Sequence, residues 1–147
     1  MKITICGSIS FFDEMNEIKS KLEKMGHKVK CPLYEIKNHN GDRISDREYY
    51  EIRKKSTHRK KWVWEQKGEA IKEHFRKVMW SDVILVVNHD KGDIKGYIGP
   101  NTLMEMGLAF FKNKKIFLYN KIPNIPLREE VLGLKPIVID KNLKMIR

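Results

Sequence analysis

Asp82-Val83-Ile84-Leu85-Val86-Val87-Asn88 is the stretch on which the fold turns. Its aliphatic run leaves no polar face, and a strand of that kind is buried on both sides, as a central strand of a parallel sheet is. Before it, residues 62–80 carry Ala70, Ile71, Phe75, Val78 and Met79 at helical spacing, and after it residues 101–112 read as a further helix. Residues 2–6 (KITIC), 27–31 (HKVKC), 115–119 (KIFLY) and 136–140 (PIVID) supply the other strands. Met15, Ile18, Leu22 and Met25 place a helix over 12–25, closed by Gly26 as its C-cap. A short helix is expected at 128–132 and a glycine-bearing loop at 89–100. Residues 34–41 are loop-like, and 43–61 are polar and helical in part. Strands separated by helices predict an α/β fold: a doubly wound, five-stranded parallel sheet with helices on both faces.

Residues 1–147 read as one domain, with no internal repeat or linker. With 41% hydrophobic and 33% charged residues, such a chain buries a core without disulfides or metal. The longest aliphatic run is 83–87, far short of the roughly 20 residues a membrane span needs. Residues 1–6 lead straight into a strand rather than a signal peptide. Cys6 and Cys31 lack CxxC spacing and predict free thiols in a reducing, cytoplasmic setting. Against 19 acidic residues stand 30 basic ones, a net charge of +11, and apart from residues 53–61 (RKKSTHRKK) they are scattered. A dispersed excess solvates the surface and draws in small anions such as phosphate esters. The expected partner is therefore a small molecule, with no specific nucleic acid and no membrane.

Doubly wound sheets bind ligands at the carboxyl ends of their strands, near the switch in strand order. That directs attention to Gly7-Ser8, to residues 88–102 and to the chain from Asn120 onward. Asn88, Gly99, Asn101 and Thr102 are substrate-binding candidates by position.

Glu105 is the only ionisable residue in 103–111 (LMEMGLAFF). A helix apolar all round is buried, and a lone carboxylate there costs several kcal/mol unless compensated. The helix start near residues 99–102 favours its ionised form. Gly107 costs about 1 kcal/mol in a helix interior relative to Ala, which points to close packing against it. Glu105 either caps backbone or pairs with a lysine, or it is a catalytic or ligand-binding group. The second reading explains why no neutral residue stands there.

In Cys6-Gly7-Ser8-Ile9-Ser10, the glycine lets backbone approach a ligand and the next helix aims its N-terminus at any anion held there. Ser8 and Ser10 add hydroxyls, although Ser10 with Asp13 or Glu14 also fits an ordinary helix cap. His74 lies eight residues before Asp82 and shares a face with Ile71 and Val78, so by itself it reads as half-buried. Trp62 and Trp64 read as anchors of the long helix. His27, His39, His58 and His89 show no metal-ligand spacing, and neither GxGxxG nor GxxxxGK[ST] occurs. No metal and no cofactor are expected.

Residues 3–9 (ITICGSI), 81–88 (SDVILVVN) and 97–110 (YIGPNTLMEMGLAF), followed by Lys114-Lys115-Ile116-Phe117, resemble the nucleoside 2-deoxyribosyltransferase family, which includes the 2′-deoxynucleoside 5′-monophosphate N-hydrolases. The resemblance spans most of the chain except 31–64. Its most specific part is the Glu-x-Gly-x-Ala pattern at Glu105, Gly107 and Ala109. It implies a flavodoxin- or Rossmann-like fold, Glu105 as the nucleophile that attacks the anomeric carbon, and Gly7, Ser8 and Ile9 holding the nucleoside or its 5′-phosphate. It also implies a homo-oligomer, a dimer or larger. Three positions depart from the family. His74 stands in place of a catalytic aspartate, Ser10 where the nucleotide hydrolases tend to carry arginine, and Asn101 where many relatives are acidic.

The chemistry is coherent. An N-glycosidic bond breaks through an oxocarbenium-like state that a carboxylate can stabilise or trap. A 2-deoxy sugar lacks the electron-withdrawing hydroxyl and forms that cation more readily. His74, able to give or take a proton near neutral pH, is the candidate acid for the departing base. The expected function is cleavage or transfer at the N-glycosidic bond of 2′-deoxynucleosides or their 5′-monophosphates. Its alternatives are a non-catalytic nucleotide-binding module on the same fold and a nucleic-acid-binding protein driven by the basic surface.

Overall fold

A computed structural model describes residues 1–32 and 35–147. Tyr34, the first residue of the expected loop, lies outside them. The main sheet is built from β1 (Lys2–Gly7), β2 (Lys28–Lys30), β5 (Val83–Val87), β6 (Lys115–Leu118) and β7 (Ile137–Val138). Between β2 and β5 come β3 (Glu35–Lys37), β4 (Arg43–Ser45), α2 (Asp46–Lys55) and α3 (Lys61–Trp80). The remaining helices are α1 (Phe12–Lys24), α4 (Pro100–Phe111) and α5 (Arg128–Gly133).

All of β5 is buried, and it sits at the centre of a parallel sheet ordered β2-β1-β5-β6-β7. The order reverses between β1 and β5, so the switch point, and with it the expected ligand crevice, falls at Gly7 and Val87. The doubly wound α/β sheet expected from the sequence is the one observed. Gly26, with φ of 91°, takes the left-handed conformation that ends α1.

Period-two alternation sorts the core into two layers. Ile3, Ile5, Val83, Leu85 and Val87 face α1, where Met15, Ile18 and Leu22, with Phe11 just before the helix, meet them. Cys6, Ile84 and Val86 face the other way, toward Val78 of α3 and Met106 and Ala109 of α4. Thr4 shares that second face and donates its hydroxyl to the Lys77 carbonyl at 2.7 Å. Cys6 is thereby delivered to the layer that holds α3 and α4.

Three expectations are corrected. First, residues 35–45 form an antiparallel hairpin, β3 with β4, in place of the loop expected over 34–41, while the stretch 43–61 is helical in part as expected, through α2. Asn38 makes its turn, with Oδ1 accepting from the backbone N–H groups of Asn40 and Asp42, and Gly41 is left-handed at φ 82°. Second, α4 is not buried all round. Thr102, Glu105, Met106 and Ala109 form its inner stripe, while Met104, Phe110 and Phe111 are exposed. Nothing packs where a Cβ at Gly107 would point. Third, the inner stripe of α3 is Val63, His74, Lys77 and Val78, and Ala70 and Met79 are exposed. The reason is geometric: α3 borders a cavity for part of its length, so its middle faces open space instead of core.

Candidate active site

Gly99 precedes α4 and Pro100 occupies its first turn, where a missing N–H costs nothing. Counting inward from there, Glu105 falls on the buried stripe, against α3. His74 falls on the facing stripe of α3, and its Nε2 lies 3.5 Å from Oε2 of Glu105. Both border a cavity of about 420 Å³ at the carboxyl end of the sheet, a size that suits a small-molecule site. Gly7, Ser8, Ile9, Gly99, Asn101 and Thr102 border the same space.

Two sequence candidates lie elsewhere. Ser10 is exposed and does not line the cavity; its N–H caps onto Ser8 Oγ at 3.3 Å. Asn88 is fully buried as a clamp between strand ends: its Oδ1 accepts from Asn120 N–H at 2.8 Å and its Nδ2 donates to the Lys121 carbonyl at 3.0 Å. Gly7 has a packing reason to be glycine as well. A Cβ there would stand 3.0 Å from the Val87 carbonyl oxygen and 3.1 Å from Met15 Sδ.

The electrostatics are those of a desolvated pair. Burial pushes the Glu105 carboxyl up to about 8, opposed by the Cys6 thiol and by the charges of Lys67 and Lys77. Burial also pushes the His74 imidazole down to about 4, helped by Lys77 and opposed by the Ile5 carbonyl. At neutral pH the site therefore holds a protonated carboxyl facing a neutral ring, not an ion pair. Neither ring nitrogen of His74 closes a hydrogen bond, and 3.5 Å is too long for one to Glu105. Cys6, wholly buried beside them, has its thiol held well above its ordinary value by burial first and by Glu105 second.

The far wall comes from α2, which falls in the stretch expected to be helical in part but not assigned to the site from sequence. Asp46, Tyr49, Tyr50 and Arg53 all border the cavity, at the i, i+3, i+4, i+7 spacing of one helix face. Ser45 caps this helix by accepting from Glu48 N–H at 3.0 Å, and the Tyr49 hydroxyl ties it to α3 by donating to the Val63 carbonyl. The Arg53 guanidinium stacks 5.0 Å from the Tyr49 ring and 5.3 Å from the Tyr50 ring, and its buried Nε has no partner. Lys67, Lys77 and Lys91 also line the space. Burial, aided by Arg53, lowers Lys67 to about 8. Lys77 is anchored by donating to the Cys31 carbonyl at 2.8 Å. The carboxyl–imidazole pair of Glu105 and His74 thus faces a cationic and aromatic wall.

No protein-family model matches the chain, and no curated protein matches it. Among solved structures, a 2-deoxyribosyltransferase from Bacillus psychrosaccharolyticus is similar at a TM-score of 0.50 and 16% identity, over 80% of this chain and 71% of that one. The chain has the fold of a 2-deoxyribosyltransferase. A CMP N-glycosidase from Clostridium botulinum aligns over 96% of this chain and 91% of its own, with a TM-score of 0.48 and 14% identity. Among the described residues, no helix is long and apolar enough to cross a membrane.

Proposed function

We propose that this protein cleaves or transfers at the N-glycosidic bond of 2′-deoxynucleosides or their 5′-monophosphates, with Glu105 as nucleophile. The observation that carries the reading is the buried Glu105 carboxyl set 3.5 Å from an unpartnered His74 in a cavity of suitable size. The fold shared with a 2-deoxyribosyltransferase supports it.

The proton accounting follows from the resting state. Glu105 passes its proton to His74 Nε2 as the sugar-to-base bond lengthens, and the growing positive charge on the sugar stabilises the carboxylate left behind. That carboxylate closes on the anomeric carbon, while the imidazolium gives a proton to the departing base nitrogen. The sum is one carboxylic acid and one glycoside becoming one glycosyl ester and one free base. Water or a second base then resolves the ester. Ser8, Gly99, Asn101 and Thr102 position the sugar, and Arg53 and Lys67 attract a 5′-phosphate. The chain works as a dimer or larger assembly, which sedimentation would show as a mass at least twice that of the monomer.

The test is incubation with a panel of deoxynucleosides and monophosphates, followed by chromatography for free base. Release from at least one, dependent on Glu105, is expected. Tight binding of nucleotides without release from any would make the chain a binding module instead.

A further inference from the structure

Beyond the glycosidic chemistry, we propose that Cys6, His74 and Glu105 form a zinc site whose occupation takes Glu105 out of action. Cys6 Sγ, a ring nitrogen of His74 and a carboxylate oxygen of Glu105 all lie within 4.8 Å of one another. They come from β1, α3 and α4, so no sequence spacing announces them. The donor set is a thiolate, an imidazole and a carboxylate, the three side-chain types zinc prefers.

Geometry agrees with chemistry. Two nitrogen or oxygen ligands about 2.1 Å from a tetrahedral zinc stand about 3.4 Å apart, and the His74–Glu105 separation is 3.5 Å. That distance is too long for a good hydrogen bond, yet it suits two groups sharing a cation. A second observation is independent of the cluster. The His74 side chain is 8% exposed and neither of its ring nitrogens has a hydrogen-bond partner, a costly state for a buried polar group unless a ligand completes it. The ion enters through the cavity that His74 and Glu105 border. On binding, Cys6 Sγ and the Glu105 oxygen release their protons to water and donate electron pairs to the metal. The fourth position faces the cavity and is left to water or an anion.

Binding does not rest on the proposed reaction; inhibition does. Cobalt(II) serves as a spectroscopic stand-in for zinc, added to the full chain freed of metal by chelation. The expected result is a thiolate-to-cobalt charge-transfer band saturating at one ion per chain and displaced by zinc. Cys31→Ser should keep the band. Cys6→Ser should lose it, and His74→Ala should weaken zinc binding by about 100-fold or more. Absence of the band in the wild-type protein, or its survival in Cys6→Ser, would overturn the site. Should Cys6→Ser not fold, loss of the band in Cys31→Ser or undiminished affinity in His74→Ala would overturn it equally. In the second arm, zinc should suppress base release and a chelator restore it; full activity with zinc bound would overturn the inhibitory role. A band with no base release under any condition would sink the glycosidic reading and leave the metal site standing.

Discussion

On the proposed mechanism Glu105 must shed a proton before it can attack carbon, and its burial makes that proton measurable in stability. The folded carboxyl titrates at about 8 rather than near 4.5. Between those values the unfolded chain ionises first, so stability is lost as pH rises from about 4.5 through 8 and the full penalty holds above. Glu105→Gln keeps the shape of the protonated group. It should abolish base release by several orders of magnitude while removing this slope, so that it gains a few kcal/mol on the wild type at pH 9 and little at pH 5. Denaturant unfolding at both pH values checks this; parallel curves would mean that the carboxyl is not desolvated. His74 works in the opposite sense. Its folded value of about 4 lies below the usual 6.5, so stability is lost as pH falls through that window. His74→Ala should slow base release by about 10² to 10⁴-fold, less for bases that leave easily. If it is silent, Asp46 is the next acid to test, since it borders the cavity and burial raises its carboxyl. Asp82 and Asp90, by contrast, are spent on the backbone N–H groups of Lys2 and Gly96.

At the scale of elements, β5 and the lone carboxylate of α4 were legible because their patterns are local, although which face of α4 is buried was not. An unbroken aliphatic run has one resting place in such a sheet, and a lone carboxylate among apolar neighbours stands out by composition. The hairpin and α2 were harder. Ser45 and Glu48 do form a capping pair, but the arginine and lysines that follow look like a solvated run until the chain folds back over the sheet. Arg53 is the instructive case: it opens that basic patch, yet its Nε is buried. Arg53→Ala should raise KM for 5′-monophosphates by about 10-fold or more and leave that for nucleosides nearly unchanged, as steady-state kinetics on matched substrate pairs would reveal. Equal effects on both would assign Arg53 to packing against Tyr49 and Tyr50. Gly7 shows the converse, a residue picked for ligand approach that also serves the sheet. Gly7→Val should lower stability by about 1–3 kcal/mol as well as weaken binding, and calorimetry separates the two effects.

For the molecule as a whole, the +11 charge gathers anions without choosing among them. Duplex DNA should bind weakly, show no sequence preference and lose affinity steeply with added salt. Filter binding at several ionic strengths would show it, and sub-micromolar, sequence-selective binding at physiological salt would reverse the conclusion. The buried cluster and the cavity wall facing it also arise differently along the chain. Cys6, His74 and Glu105 are gathered from three distant elements, whereas Asp46, Tyr49, Tyr50 and Arg53 arrive within about two turns of α2. The hairpin and helix over 35–55 hang between β2 and α3 without joining the main sheet. On the proposed function, substrate choice is therefore written in one short local stretch of the chain. It can be exchanged wholesale, by grafting or by drift, while the reaction beneath it keeps its address.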